Sequence, residues 1–456
     1  MADETTLLIL GASGDLTSRL LLPALGQLLT RQPDRDVRLL GAGMDDWTDD
    51  HWRQVVRSSF DTADADAAYA SVADTTYHRT DITNPEQLTA LLAHAKGRVA
   101  LYFAVPPAVA ARSVEALSAV DLPDGIVLAL EKPFGTSEAS AHELNEKLRT
   151  LVPEKQIFRV DHFLGRSTLL NIMGVRFANR VFEPVWSAEH IESVVIRYDE
   201  SLGLEGRAGY YDHNGALRDM IQSHLLQVLA IVAMTPPASL DEQDLRDATG
   251  AVLRATHVWG DDAVASSRRG RYTAGTIDGR DLPSYVNEAG VDPGRNTETL
   301  AEVTLEVRTA RWSGVPFTLR SGKALTKRDA EIVMTFRPVR HLPAGFNGDA
   351  PGSVLRFTLG PDLMSLDINV NGGEDPFDLH RASMQADLGE GSLLAYSEVL
   401  SELLDGDASL AVRGDAAEDC WRILQPVLDA WAANRVPIDD YAAGSDGPAS
   451  WPVLPS

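Results

Sequence analysis

Cysteine is nearly absent from this 456-residue sequence. Cys420 stands alone, which rules out an internal disulfide and a multi-thiolate metal site; a reducing cytoplasm is the expectation. Basic charge is also scarce. Lys and Arg number 41 against 66 Asp and Glu, a net charge of −25, whereas a general nucleic-acid binder needs clustered cations to release counterions from phosphates. Anionic membranes are disfavoured for the same reason. No apolar run approaches the roughly 20 residues of a membrane-spanning helix, and the acidic start Met1-Ala-Asp-Glu4 lacks the basic region and cleavage site of a signal peptide. What the chain does have is apolar substance: 44% hydrophobic and 23% charged residues suffice for packed cores in roughly two or three domains.

The apolar residues come in two patterns. Thr6–Leu10, Val37–Gly43, Val99–Val105 and Ile126–Leu130 are continuous apolar runs separated by helical stretches, which predicts strands buried on both faces of a parallel sheet. Residues 1–160 are therefore expected to form a doubly wound, Rossmann-like α/β domain, in which Pro23 kinks a helix or opens a new first turn. From Asp161 onward the period changes. His190–Glu200, Leu300–Ala310, Glu331–Phe336 and Val354–Leu359 alternate apolar and polar residues, so residues 161–456 are expected to be an α+β domain with a large antiparallel sheet. A helix is predicted over Gly215–Met234, and the Gly/Asp-rich stretches near Gly275–Gly294, Pro343–Gly352 and Gly444–Pro448 read as turns or surface loops.

Five clusters carry candidate chemistry. Gly11-Ala-Ser-Gly14-Asp15-Leu16 follows a strand and opens a helix, where backbone N–H groups and the helix dipole can receive a pyrophosphate. It lacks the middle glycine of G-x-G-x-x-G, so a ligand-free tight turn is the competing reading. After the second strand, Met44-Asp45-Asp46 offers no cation for a 2′-phosphate and two carboxylates that repel one, which favours NAD over NADP. The plainer alternative is that the aspartates cap the next helix. Arg159-Val-Asp161-His162-Phe163-Leu-Gly165-Arg166 gathers an acid, an imidazole and two guanidiniums at the domain boundary, either as a ligand site or around an Asp161–Arg159 ion pair. His224 shares a stripe with Leu217, Ile221 and Val228 if the helix is regular, which also fits a satisfied core histidine. On that wheel Asp219 lies about 140° away, so it is not the evident partner of His224. Lys323, Lys327 and Arg328 form a cationic cluster that either holds an anion or is a solvated turn.

Read together, these segments resemble the glucose-6-phosphate dehydrogenase family from about Leu7 to about Gly447. The likeness is carried by Gly11–Leu16 with Leu21–Leu25, Glu131-Lys-Pro-Phe-Gly135, Arg159–Gly165, Arg176–Asn179 and Phe182–Pro184. It continues through Glu205–Arg207, Gly209–Asp212, Gly215–Asp219, His224–Gln227, Tyr272–Gly275, Thr297–Thr299 and Val315–Phe317. The resemblance implies hydride transfer from C1 of glucose 6-phosphate to a nicotinamide, yielding the phosphogluconolactone. It implies His224 as general base with Asp161 orienting it, and Lys132 bridging substrate and nicotinamide. His162, Arg166, Glu205, Asp219, Lys323 and Arg328 would bind the sugar phosphate. Gly11, Ser13, Gly14, Asp15, Leu16, Met44, Asp45, Ala104, Pro106 and Lys132 would line the cofactor. A homodimer or homotetramer built on the large sheet is implied as well, as is a cis peptide before Pro133.

Three departures from the family pattern bear on function. Met44 stands where the family usually has Arg, which makes NAD preference, or dual use of NAD and NADP, the expectation. Phe163 lacks a usual phenol, and Arg166 replaces a Lys whose ammonium it does not match geometrically. Oxidation of another hexose, unphosphorylated or with a different C6 anion, is the alternative these two changes leave open. A nucleotide-binding regulatory paralogue with little catalysis is the other.

Overall fold

The computed structural model describes residues 4–455 except 374, 390 and 392; Met1–Asp3, the start of the acidic N-terminus, lie outside the described residues. The chain divides into two compact units: Met1–Arg166 with Pro237–Gly250 and Gly391–Asp419, and Ser167–Pro236 with Ala251–Glu390 and Cys420–Ser456.

The first unit grows from the continuous apolar runs. β1 (Thr5–Leu10) is buried at every position and pairs in parallel with β2 (Val37–Gly43), which pairs in parallel with β3 (Thr76–Arg79). β4 (Arg98–Phe103), β5 (Val127–Glu131) and β6 (Ile157–Val160) form a second parallel ladder. The ladders meet where the Ala104 N–H donates to the Leu10 carbonyl at 2.8 Å. This gives the strand sequence 3-2-1-4-5-6, with a topological switch between β1 and β4 where such sheets bind ligands. Pro23 stands in the first turn of the helix Leu22–Arg31, after a π-helical stretch Thr17–Leu21, so the chain changes helix type there. Thr48 caps the helix Asp49–Asp61, its Oγ1 accepting from the His51 N–H at 3.2 Å, so the cap is not one of the Asp45–Asp46 carboxylates. The segment Gly391–Asp419 returns to this unit. Its helix Ala395–Asp405 lays Leu400, Leu403 and Leu404 into the same core as Leu25 and Leu28, and Ala411–Val412 pairs antiparallel with β6.

The second unit is organised by one large sheet. Its strand order is 379–387, 363–371, 354–358, 329–336, β7 (Ile191–Asp199), 317–322, 300–307, 267–273 and 438–442, with Thr256–Val258 pairing alongside 300–307. Two pairs are parallel, 317–322 with β7 and 438–442 with 267–273, and the rest antiparallel. The alternating strands predict the antiparallel majority; the two exceptions arise because long connections bring distant segments beside each other. Gly275–Ile277 and Arg280–Leu282 close a short hairpin within the first Gly-rich stretch. Among the described residues no helix is long and apolar enough to cross a membrane.

Candidate functional site

In the first unit the glycine turn is held tightly against the ends of β2 and β4. Gly11 has φ +88°, and a Cβ there would collide with the Ala104 carbonyl, so only glycine lets the turn pass this close to the end of β4. The Gly11 and Ala12 N–H groups donate to the Ala42 carbonyl at 2.8 and 2.9 Å, and the Gly14 N–H to the Gly11 carbonyl at 3.0 Å. The chain turns helical at Asp15 and Leu16, with Asp15 exposed and Ser13 and Gly14 half-buried at the mouth. Across the switch point, Pro106 precedes the helix Pro107–Leu117. At the corner beyond β2, Met44 is 63% exposed, and Asp45 and Asp46 are exposed beside it. The missing middle glycine thus leaves the tight turn intact, and the turn sits where a dinucleotide phosphate is bound in sheets of this order.

β5 ends at Glu131, and the Lys132–Pro133 peptide after it is cis. The Glu131 carboxyl receives the Tyr102 hydroxyl at 2.5 Å and the Tyr396 hydroxyl at 3.3 Å, both on Oε1. Burial pushes this carboxyl up to about 7, against the opposing pull of the two phenols and of Lys132. Asp161, just past β6, is buried and accepts the Phe163 N–H at 3.0 Å. His162 stacks on Tyr396 with centroids 5.1 Å apart and an interplanar angle of 14°, and meets Phe163 edge-on at 5.2 Å. The two departures flanking this stretch touch: the Arg166 guanidinium lies 4.3 Å from the centre of the Phe163 ring. Arg159 is not the ion partner of Asp161. It is fully buried, bonds Glu154 at 2.7 Å and Asn145 at 2.8 Å, and shares Glu154 with Arg246 in a network that fastens the returning segment through Gly414.

In the second unit the predicted long helix is broken into three. Ala208–Ala216 ends at Gly215, whose φ of 67° and ψ of 178° are not helical. Leu217–Leu225 is then π-helical and Leu226–Ala233 α-helical. The regular wheel therefore fails over the stretch that matters. Leu217, Ile221, His224 and Val228 are all buried as expected, but with i→i+5 bonding a five-residue step completes about one turn, so the 140° separation of Asp219 from His224 no longer holds. The π-helical stretch begins just after the break. A Cβ at Gly215 would run into the Glu298 carboxylate, which accepts the Leu217 N–H at 3.0 Å and starts the new helix. Asp219 accepts the Tyr210 hydroxyl at 3.2 Å. Glu205 sits in a turn at φ 47° and reaches Arg280 at 3.4 Å, both half in solvent.

The basic cluster is not a free solvated turn. Lys323 is mostly buried, bonded to Glu200 at 2.6 Å and 5.3 Å from the centre of the Tyr211 ring. Arg328 donates to the Leu359 carbonyl at 3.3 Å while remaining exposed, as Lys327 is. Sequence reasoning missed Tyr102, Tyr396 and the Glu131 side chain. Tyr102 occupies an ordinary strand position, and nothing local to Tyr396 signals that it reaches residues 265 positions away.

Comparison with known proteins covers the whole chain. A family model described as glucose-6-phosphate dehydrogenase, NAD binding domain, matches residues 8–171, and one described as glucose-6-phosphate dehydrogenase, C-terminal domain, matches residues 173–454. Glucose-6-phosphate 1-dehydrogenase of Gluconobacter oxydans is 38% identical, with 96% of this chain and 94% of the relative covered. The Bacillus subtilis protein of that name is 33% identical, covering 98% and 95%. The crystal structure of the Mycobacterium avium glucose-6-phosphate 1-dehydrogenase superposes with a TM-score of 0.87 at 31% identity, covering 100% of both chains. A glucose-6-phosphate dehydrogenase in complex with its substrate glucose-6-phosphate gives 0.87 at 28% identity, covering 98% and 96%.

Proposed function

The chain belongs to the glucose-6-phosphate dehydrogenase family, and on that premise we propose that it oxidises glucose 6-phosphate at C1, with NAD preferred or NAD and NADP both used. The nicotinamide, when bound, accepts the hydride from C1. The residues present suit a dinucleotide by their place: the turn Gly11–Gly14 runs from the end of β1 straight into a helix opening at Asp15 and Leu16, with Ser13 and Gly14 half-buried at its mouth. A ring nitrogen of His224 takes the C1 hydroxyl proton as that bond to hydrogen breaks, a role worth about 10²–10⁴ in rate. Asp161 is the carboxylate that supports this proton transfer, and Lys132 carries a positive charge to the reacting end of the sugar. His162, held flat against Tyr396, and Arg166, laid on Phe163, are the proposed phosphate contacts. Glu205 and Asp219 take sugar hydroxyls, and Lys323 and Arg328 complete the charge complement. Lys323 must then exchange its bond to Glu200 for one to substrate. Assembly as a homodimer or homotetramer and a cytoplasmic location belong to the same reading.

The observation that carries the proposal is the burial of His224 within a π-helical segment, a helix form often kept at functional sites. The test is initial rates with glucose 6-phosphate and each cofactor, repeated with His224→Asn. Turnover with kcat/KM for NAD at or above that for NADP is expected, with kcat of the variant lower by about 10²–10⁴ and glucose 6-phosphate binding retained. An unchanged rate in the variant removes His224 as base. Turnover of another hexose alone removes the assigned substrate.

A further inference from the structure

The corner beyond β2, where doubly wound sheets read the adenosine ribose, offers no cation at Met44, yet a guanidinium reaches it from the neighbouring strand. β2 and β3 run in parallel with Gly43 opposite Arg79, so both strands end level at the ligand-binding edge of the sheet. The Thr80 N–H donates to the Gly43 carbonyl at 2.8 Å and pins that alignment. Tyr77 and Arg79, two residues apart, point to the same face of β3. The Tyr77 hydroxyl would lie 2.7 Å from a Cβ at Gly43, close to where Ser13 Oγ approaches the same point, so this face is turned toward the glycine turn. Arg79, itself exposed, reaches toward the corner beyond β2: its Nη1 lies 3.5 Å from Asp46 Oδ1, in the loop that follows β2. The charges of Asp45 and Arg79 both act on the Tyr77 phenol, in opposite senses, while burial pushes it up.

We propose that Arg79 is this chain's cation for the 2′-phosphate of NADP, supplied from β3 in place of a residue after β2, and that Asp46 holds it in check. The inference deepens the cofactor reading above and rests on it. The side chains of Arg79 and Asp46 are 63% and 90% exposed. An ion pair so placed contributes little, so it yields to a dianion that offers Arg79 charge-assisted bonds from a phosphate. With NAD, Arg79 stays with Asp46 and nothing is lost. With NADP, Asp46 must be displaced and left beside the phosphate. The pair therefore sets the ratio between the cofactors, and Met44 is only half of the signal.

The test is calorimetric binding of adenosine 2′,5′-bisphosphate and 5′-AMP to the whole protein, alongside kcat/KM for NADP and NAD. For Arg79→Gln the bisphosphate Kd should rise at least about tenfold while the 5′-AMP Kd stays within about twofold, and kcat/KM should fall for NADP only. Asp46→Asn should tighten the bisphosphate by about three- to tenfold, and the gain should vanish in the double variant. Equal weakening of both adenosine probes by Arg79→Gln, or no change in either, overturns the proposal. Failure of wild type and Asp46→Asn to bind the bisphosphate does the same. If wild type prefers NADP and Arg79→Gln abolishes that preference, the NAD reading falls and Arg79 stands; if wild type prefers NADP and the variant is unchanged, both fall.

Discussion

Glu131→Gln should alter the pH dependence of stability in a direction the structure dictates. The Glu131 carboxyl, enclosed with the phenols of Tyr102 and Tyr396, is raised from 4.5 to about 7, chiefly by burial. Between those values the folded chain keeps a proton that the unfolded chain releases, so stability falls as pH rises from 4.5 toward 7 and levels off above it. From pH 5 to pH 8 the two titration curves diverge by about 2 kcal/mol, after allowance for the partial exposure of the residue. Glutamine cannot ionise and escapes that loss. Asp199 and Glu402, also raised by burial to about 6 and about 7, add to the same slope in both proteins, so the informative quantity is the difference between variant and wild type. Denaturant unfolding at pH 5 and pH 8 should show that difference moving in favour of the variant by about 2 kcal/mol as pH rises. A difference that does not move, or that moves the other way, refutes the account of Glu131 as a buried carboxyl protonated near neutrality.

Two further perturbations probe the frame around the proposed site. Phe163→Leu and Arg166→Met should be non-additive in a double-mutant cycle by about 1 kcal/mol, because the guanidinium over the ring is lost in either; strict additivity would mean the two departures are independent. Gly215→Ala should destabilise by more than about 2 kcal/mol, since it combines a backbone region open mainly to glycine with a clash against Glu298. An unchanged denaturation midpoint would show that the helix break can be absorbed elsewhere.

The sequence made the first unit legible because strands buried on both faces write themselves as unbroken apolar runs: Thr5–Leu10 and Val37–Gly43 extend by at most a residue from the runs that predict them. In the second unit alternation marks β7 and the strands at 300–307, 329–336 and 354–358, whereas 317–322, 363–371 and 379–387 are not picked out by it. The helix break before His224 was hidden, because Gly215 is held against Glu298, 83 residues later, and no helical wheel carries that information. Arg79 was hidden for a related reason: its relevance comes from register with Gly43, not from its neighbours in the chain. In the motif Arg159–Arg166 the first member serves a buried ion network, which spacing cannot separate from a ligand contact.

The return of Gly391–Asp419 to the first unit has a consequence for biosynthesis. The dinucleotide-binding unit does not emerge from the ribosome as a finished object. Leu400, Leu403 and Leu404 belong to its core, and they follow its first 166 residues only after about 230 more have been made, which at about 5–20 residues per second is a delay of about 10–50 s. During that interval the apolar face of Leu22–Arg31 that these leucines cover is open to whatever binds nascent chains. Substitutions at Leu400, Leu403 or Leu404, far downstream of the helix they cover, should therefore reduce yield through chaperone capture or proteolysis of half-made chains.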